Sequence, residues 1–210
     1  MATITQIHVT IDFDFWSIDR HETEKYLIQL LGEDANRLFS QNVKIDAYLS
    51  EGSIRATLVV VGSLYAAIAG YGSLRSGIDY LIDDAKLLKS LFSKSLVRNG
   101  LPEELIIDCR KLQSTPERVR LLLLRIDRLE NGDFSKESVE YQSELKRIKQ
   151  YTNRICWEIS DNDKAMLACS INQRYIPEEH QISSNERQLK FFVRDEDLKL
   201  GLPLNQHPNF

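Results

Sequence analysis

The sequence predicts an α+β protein, and three patterns carry that expectation. Apolar residues alternate with polar ones at period two near the N-terminus and again on both sides of a glycine-containing turn. Beyond that turn, apolar residues recur at helical spacing from Gly62 to Phe92. In the second half, a hydroxyl–proline–glutamate start and an Asn-Gly-Asp stop frame a helical hairpin. The expected architecture is an N-terminal strand–helix–β-hairpin module followed by a long helix, then a helical hairpin with a few short C-terminal strands.

Ile7, Val9, Ile11, Phe13 and Phe15 alternate with His8, Thr10, Asp12 and Asp14, which predicts a half-buried strand. From Thr23 to Phe39 the rhythm changes: Tyr26, Leu27, Leu30, Leu31 and Leu38 fit a helix, with Gly32 as a candidate break. Val43, Ile45, Ala47 and Leu49 alternate again. So do Ile54, Ala56, Leu58 and Val60, and Ser50-Glu51-Gly52-Ser53 supplies the turn between them. One long helix is expected next, carried by Leu64, Ile68, Tyr71, Leu74, Ile78, Leu81, Ile82, Ala85 and Leu88. The run from Glu51 to Lys86 resembles a hairpin-then-apolar-helix pattern of small bacterial proteins. That resemblance points to no particular family and carries no catalytic residue.

Asn99-Gly100-Leu101-Pro102 marks a boundary, because glycine ends helices and proline opens them. It separates an α+β module over 1–98 from a mainly helical-hairpin region over 101–200, with 201–210 as an irregular tail. Glu103 to Gln113 reads as a short helix. Ser114-Thr115-Pro116-Glu117 is a capped helix start, and Val119, Leu122, Leu123, Ile126 and Leu129 form its apolar stripe. After the Asn131-Gly132-Asp133 stop, Ser135 is the expected cap of a helix striped by Val139, Leu145, Ile148, Thr152 and Ile155. Ile155–Ser160 and Lys164–Ile171 read as a second hairpin around Asp161-Asn162-Asp163, and Leu189–Val193 as one more strand.

No charge occurs between Ala56 and Leu74, so the membrane question arises. The first third of that interval continues the strand alternation. What remains, Ser63 to Leu74, falls short of the ~20 apolar residues a span needs. Arg75, Asp79, Asp83 and Asp84 then follow in unbroken helical rhythm. A buried or partner-packed helix is the reading favoured, and insertion of the Leu58–Leu74 segment into a membrane is the alternative. The face formed by Ala66, Ala69, Gly70, Gly72, Ser73 and Gly77 is small enough for a second backbone to approach closely. Helix glycines cost ~1 kcal/mol each against alanine, so several together imply compensating close packing. Packing on the chain's own sheet and self-association both satisfy that pattern.

Composition narrows the class. With 42% hydrophobic and 28% charged residues the chain is globular, and its formal charge of −4 gives no general reason to expect nucleic acid as partner. A local excess of positive charge between Arg110 and Arg154 includes Arg118, Arg120, Arg125, Arg128 and Arg147 as a candidate basic surface. No aromatic residues interleave with it in a base-stacking pattern. The N-terminal residues lack the basic-then-apolar run of a secretory signal, and the three cysteines show no CxxC spacing. Reduced thiols and a cytoplasmic location, with membrane association as the runner-up, are therefore expected.

Chemistry-bearing motifs are sparse. His8, His21, His180 and His207 lack metal-ligand spacing. Asp12 and Asp14 form a D-x-D pair on one strand face, a weak candidate for a divalent cation. Asp161-Asn162-Asp163 opens like a calcium loop, but Met166 stands where glycine is needed and Asn172 where glutamate is needed. No GxGxxG, GK[ST] or GxSxG motif is present. Cys109 and Cys156 fall in expected helices and Cys169 in an expected strand, all read as packed small hydrophobes. No cofactor is implied. The expected function is a non-enzymatic assembly or interaction subunit of a bacterial intracellular complex, self-associating or packing on a protein partner through the Ala66–Gly77 face. A membrane-acting effector is the first alternative. A metal-dependent phosphoesterase using Asp12 and Asp14 is the second.

Overall fold

A computed structural model describes residues 1–14, 18–39, 43–50, 53–71, 73–132 and 135–181. The first run of alternation makes β1 (Ala2–Asp14), and the Asp19 carboxylate then accepts from the Glu22 N–H at 3.0 Å to start α1 (Arg20–Leu38). This cap begins the helix three residues before the first expected position. Gly32 does not break it; a Cβ there would make ordinary contact with Ile45 at 3.8 Å. The hairpin forms as expected from β2 (Lys44–Ser50) and β3 (Ser53–Gly62).

The long helix is interrupted. A short α2 (Leu64–Ile68) tightens into a 3-10 turn over Ala69–Tyr71, and Ser73, in extended conformation at φ −139°, caps a new helix, α3 (Leu74–Arg98). The reason is local chemistry. Gly70 and Gly72 weaken the helix where Ser73 offers its hydroxyl to the Ser76 N–H at 3.3 Å. The chain then folds back, so α2 lies against the first turn of α3.

A second correction concerns 103–113. Only Glu103–Leu105 is helical, as a 3-10 turn; Ile106–Leu112 is a strand, β4. Its residues pair antiparallel with β1, with His8 opposite Arg110 and Thr10 opposite Asp108. Cross-strand pairing and partial burial of Ile106 and Cys109 outweigh the weak local helix pattern. Cys109 is thus on a strand.

The third correction concerns 155–171. No hairpin forms there. After α4 (Thr115–Asn131), α5 (Val139–Glu158) runs to its end, and α6 (Asp161–Ser170) follows. Ser160 caps α6 and acids fill its first turn. Cys169 is therefore helical. Ser138, rather than Ser135, caps α5, and Val139 is exposed. Leu189–Val193 and the 201–210 tail lie outside the described residues.

Among the described residues the sheet runs β2-β3-β1-β4 with every neighbouring pair antiparallel. Two β-α-β units interlock, each placing a strand of the other between its own pair, which is the connectivity of split β-α-β, ferredoxin-like folds. The class is α+β. Ile7, Val9 and Ile11 of β1 and Ile54, Ala56, Leu58 and Val60 of β3 are buried on one face, where α1 and α3 pack. Gln6, His8, Thr10 and Thr57 occupy the other face, which stays partly open. The same core continues through Val119, Leu122, Ile126, Ile148 and Ile155, so α4 and α5 share it.

No described helix is long and apolar enough to cross a membrane. Within Leu58–Leu74, Leu58, Val60, Leu64, Ala67 and Ile68 are buried in the sheet and helix layer.

Candidate functional site

The small-residue face is divided by the fold. Gly77 is buried: a Cβ there would lie 2.6 Å from the Ile68 Cβ, so α2 folds onto α3 at the one position without a side chain. Ala66, Ala69 and Ser73 remain exposed. Gly70 sits in the 3-10 turn, and Gly72 is outside the described residues.

Beside that exposed stretch is a notch of about 230 Å³. Ile68, Ala69, Ser73 and Leu74 line one side; Met166 and Ser170 of α6 line the other. Its lining mixes the apolar side chains of Ile68, Ala69, Leu74 and Met166 with the hydroxyl-bearing Tyr65, Ser73 and Ser170. The wall from α6 is held by a carboxylate. Asp163 is fully buried and accepts from the Ser63 hydroxyl at 3.0 Å, the Tyr65 N–H at 2.8 Å and the Ser160 hydroxyl at 2.7 Å. One side chain thus serves the first turns of two helices, α2 and α6, where N–H groups lack intrahelical partners. The sequence reading missed Asp163, Met166 and Ser170. A signal existed: Ser160-Asp161-Asn162-Asp163 has the Ser-x-x-Asp form of a helix start.

A larger cleft, about 1150 Å³, opens at the loop end of the α4–α5 hairpin. It gathers Arg125, Arg128 and Arg147 of the candidate basic surface together with Asp127, Glu140 and Glu144. Asp127 is gripped at 2.6 and 2.8 Å by Arg75, whose hydrogen bond lowers the carboxyl below its usual range. Arg147 meets Glu144 at 3.5 Å, and Arg125 lies 5.0 Å from the centre of the Tyr151 ring. Arg118 and Arg120 are elsewhere, paired with Glu158 at 2.6 Å and Asp79 at 3.0 Å. The basic run is therefore interleaved with acids in space.

A third polar cluster joins β4 to α4. Ser114 is buried; its N–H donates to Glu117 at 2.9 Å and its hydroxyl to the Ile4 carbonyl at 2.9 Å. Lys111 packs against the Glu117 carboxylate. Burial, and Lys86 nearby, pull the Lys111 amine down to about 8, while the Glu117 contact acts in the opposite direction. The geometry is that of a helix cap, with glutamate reaching back to the serine N–H. The buried serine hydroxyl points at a backbone carbonyl rather than at solvent.

Among the described residues, no group of three or more His, Cys, Asp or Glu side chains is placed to share a metal ion. Asp12 is exposed near the end of β1, and the side chain of Asp14 lies outside the described residues. Burial raises the thiols of Cys109 and Cys156, the latter to about 11, which disfavours the thiolate each would need as a nucleophile. Compared with protein-family models, with curated proteins and with solved structures, the chain finds no match in any of the three.

Proposed function

We propose that this chain is a non-enzymatic assembly subunit that associates with a second copy of itself through the notch between α2 and α6. The observation that supports this reading is the notch beside Ala69, lined in part by Ile68, Leu74 and Met166, which falls on the face whose small residues permit close approach. Interfaces draw most of their energy from a few large side chains seated in such pockets, with polar groups around them. A volume of about 230 Å³ suits one aromatic or long aliphatic side chain. Its walls are rigid, because Asp163 ties α6 to α2 and Gly77 seats α2 on α3.

Light scattering on the full chain across a concentration series tests the proposal. The wild type is expected to exceed the 24.3 kDa chain mass as concentration rises. Ala69→Arg, which places a charged side chain over the notch, is expected to lower the mass below that of the wild type at matched concentration while keeping its helical signal. Equal masses for wild type and variant at every concentration would reject the notch as the contact.

A further inference from the structure

We propose that β4 is a second, self-complementary contact, through which two copies join their sheets by antiparallel β4–β4 pairing about a two-fold axis at Cys109. Among the described residues β4 is hydrogen-bonded to β1 on one side only, so its other side is a sheet edge with backbone donors and acceptors open to another strand. In the sequence Ile106-Ile107-Asp108-Cys109-Arg110-Lys111-Leu112 the three central residues are complementary about Cys109, with opposite charges one step to either side. A strand with that property is complementary to itself, because antiparallel pairing about its midpoint sets Asp108 of each copy opposite Arg110 of the other.

Register makes the match specific. Opposed residues must share a sheet face, so the only other alignments are slips that shift partners by two residues. Asp108 and Arg110 both lie on the face away from the helices, opposite Thr10 and His8, and are 3.3 Å apart within one chain. The neighbouring slips set Asp108 against Asp108 or Arg110 against Arg110, and like charges directly opposite are destabilising. About its own middle residue, Ala47, the other edge strand β2 opposes Asp46 with Tyr48 and has no such match.

Edge strands are commonly guarded by an outward lysine. Here Lys111 is turned down onto Glu117, with only 14% of its side chain exposed. Ile107, by contrast, is 61% exposed at this edge, and pairing would cover it. Ile107 is also the extra residue of a bulge against β1, so the regular ladder is short and centred on Asp108–Arg110. A short ladder implies a dimer that dissociates on dilution. This contact is separate from the notch and stands or falls independently of it.

The test uses the full chain carrying Ala69→Arg throughout, so that the notch contributes nothing. In this background the parent protein is expected at twice the chain mass by sedimentation at high micromolar concentration. Adding D108R or R110D alone creates two like-charge oppositions and weakens the dimer by roughly tenfold or more. Mixing the D108R and R110D proteins in equal amounts restores the dimer, because each strand then opposes one of the other sign. A parent protein that stays at single-chain mass, single variants that dimerise like the parent, or a mixture that stays monomeric would each overturn the proposal.

Discussion

Gly77 decides how α2 meets α3. A methyl group there would collide with Ile68, at 2.6 Å from its Cβ and 3.0 Å from its Cγ2. In an open helix Gly→Ala would be stabilising by about 1 kcal/mol. Here the overpacking penalty of typically 1–3 kcal/mol opposes it and wins, since the atoms met include the Cβ and Cα of Ile68, which move only with the backbone of α2. Gly77→Ala is expected to lower the urea midpoint, with the loss read directly from equilibrium unfolding. Tyr175 gives a pH prediction at the same scale. It is fully buried and donates to Glu130 at 2.9 Å. Burial first, then the Glu130 hydrogen bond, push its phenol up to about 12 from 10.0. The folded state therefore keeps the proton through a range in which the unfolded chain releases it. This contribution is complete below pH 10 and disappears as the pH rises to about 12. Tyr175→Phe should cost about 1 kcal/mol at pH 8, through the lost hydrogen bond, while Arg174 still donates to the same Glu130 oxygen at 2.8 Å. Its unfolding midpoint should fall less steeply than that of the wild type above pH 10.

At the scale of elements, Asp163 is the joint between α2 and α6. Asp163→Ala leaves the Ser63 and Ser160 hydroxyls and the Tyr65 N–H without this acceptor. Hydrogen bonds to a charged group contribute about 1.5–3 kcal/mol each, so a loss of roughly 3 kcal/mol or more is expected. The variant should also associate more weakly, because the Met166 side of the notch is no longer held in place; unfolding and light scattering measure the two effects separately. Much of this architecture was legible beforehand. The period-two runs marked β1, β2 and β3, and Ser114-Thr115-Pro116-Glu117 marked the start of α4. The three misreadings have separate causes. β4 depends on a partner more than ninety residues away in sequence, so local spacing around Glu103–Gln113 carried no information about it. Asp161-Asn162-Asp163 resembled a turn because the same residue types that build turns also cap helices. The long helix was read through Gly70 and Gly72 because its apolar rhythm persists across them, while the Ser73 cap resets the phase of the backbone. The notch was half legible: its small residues stood out, but Met166 and Ser170 arrive from α6 only through tertiary packing.

For the molecule as a whole, one core runs from the sheet through α1 and α3 to the α4–α5 hairpin. Its polar clusters are spent on structure: Asp163 and Glu117 on helix starts, Asp127 and Glu158 on ion pairs between helices. The two surfaces proposed for contact, the Ala69 notch and the β4 edge, lie on separate elements. Two separate contacts on one chain would together generate an assembly of higher order than a dimer. On the proposed function, the notch is buried when copies meet. Amide hydrogen exchange of the full chain, compared between dilute and concentrated samples, tests it most directly. Slower exchange with rising concentration at Leu64–Tyr71 and along the exposed side of α6, abolished by Ala69→Arg, is the predicted result. Exchange in those segments that does not change with concentration, in a sample that light scattering shows to be associated, would contradict it.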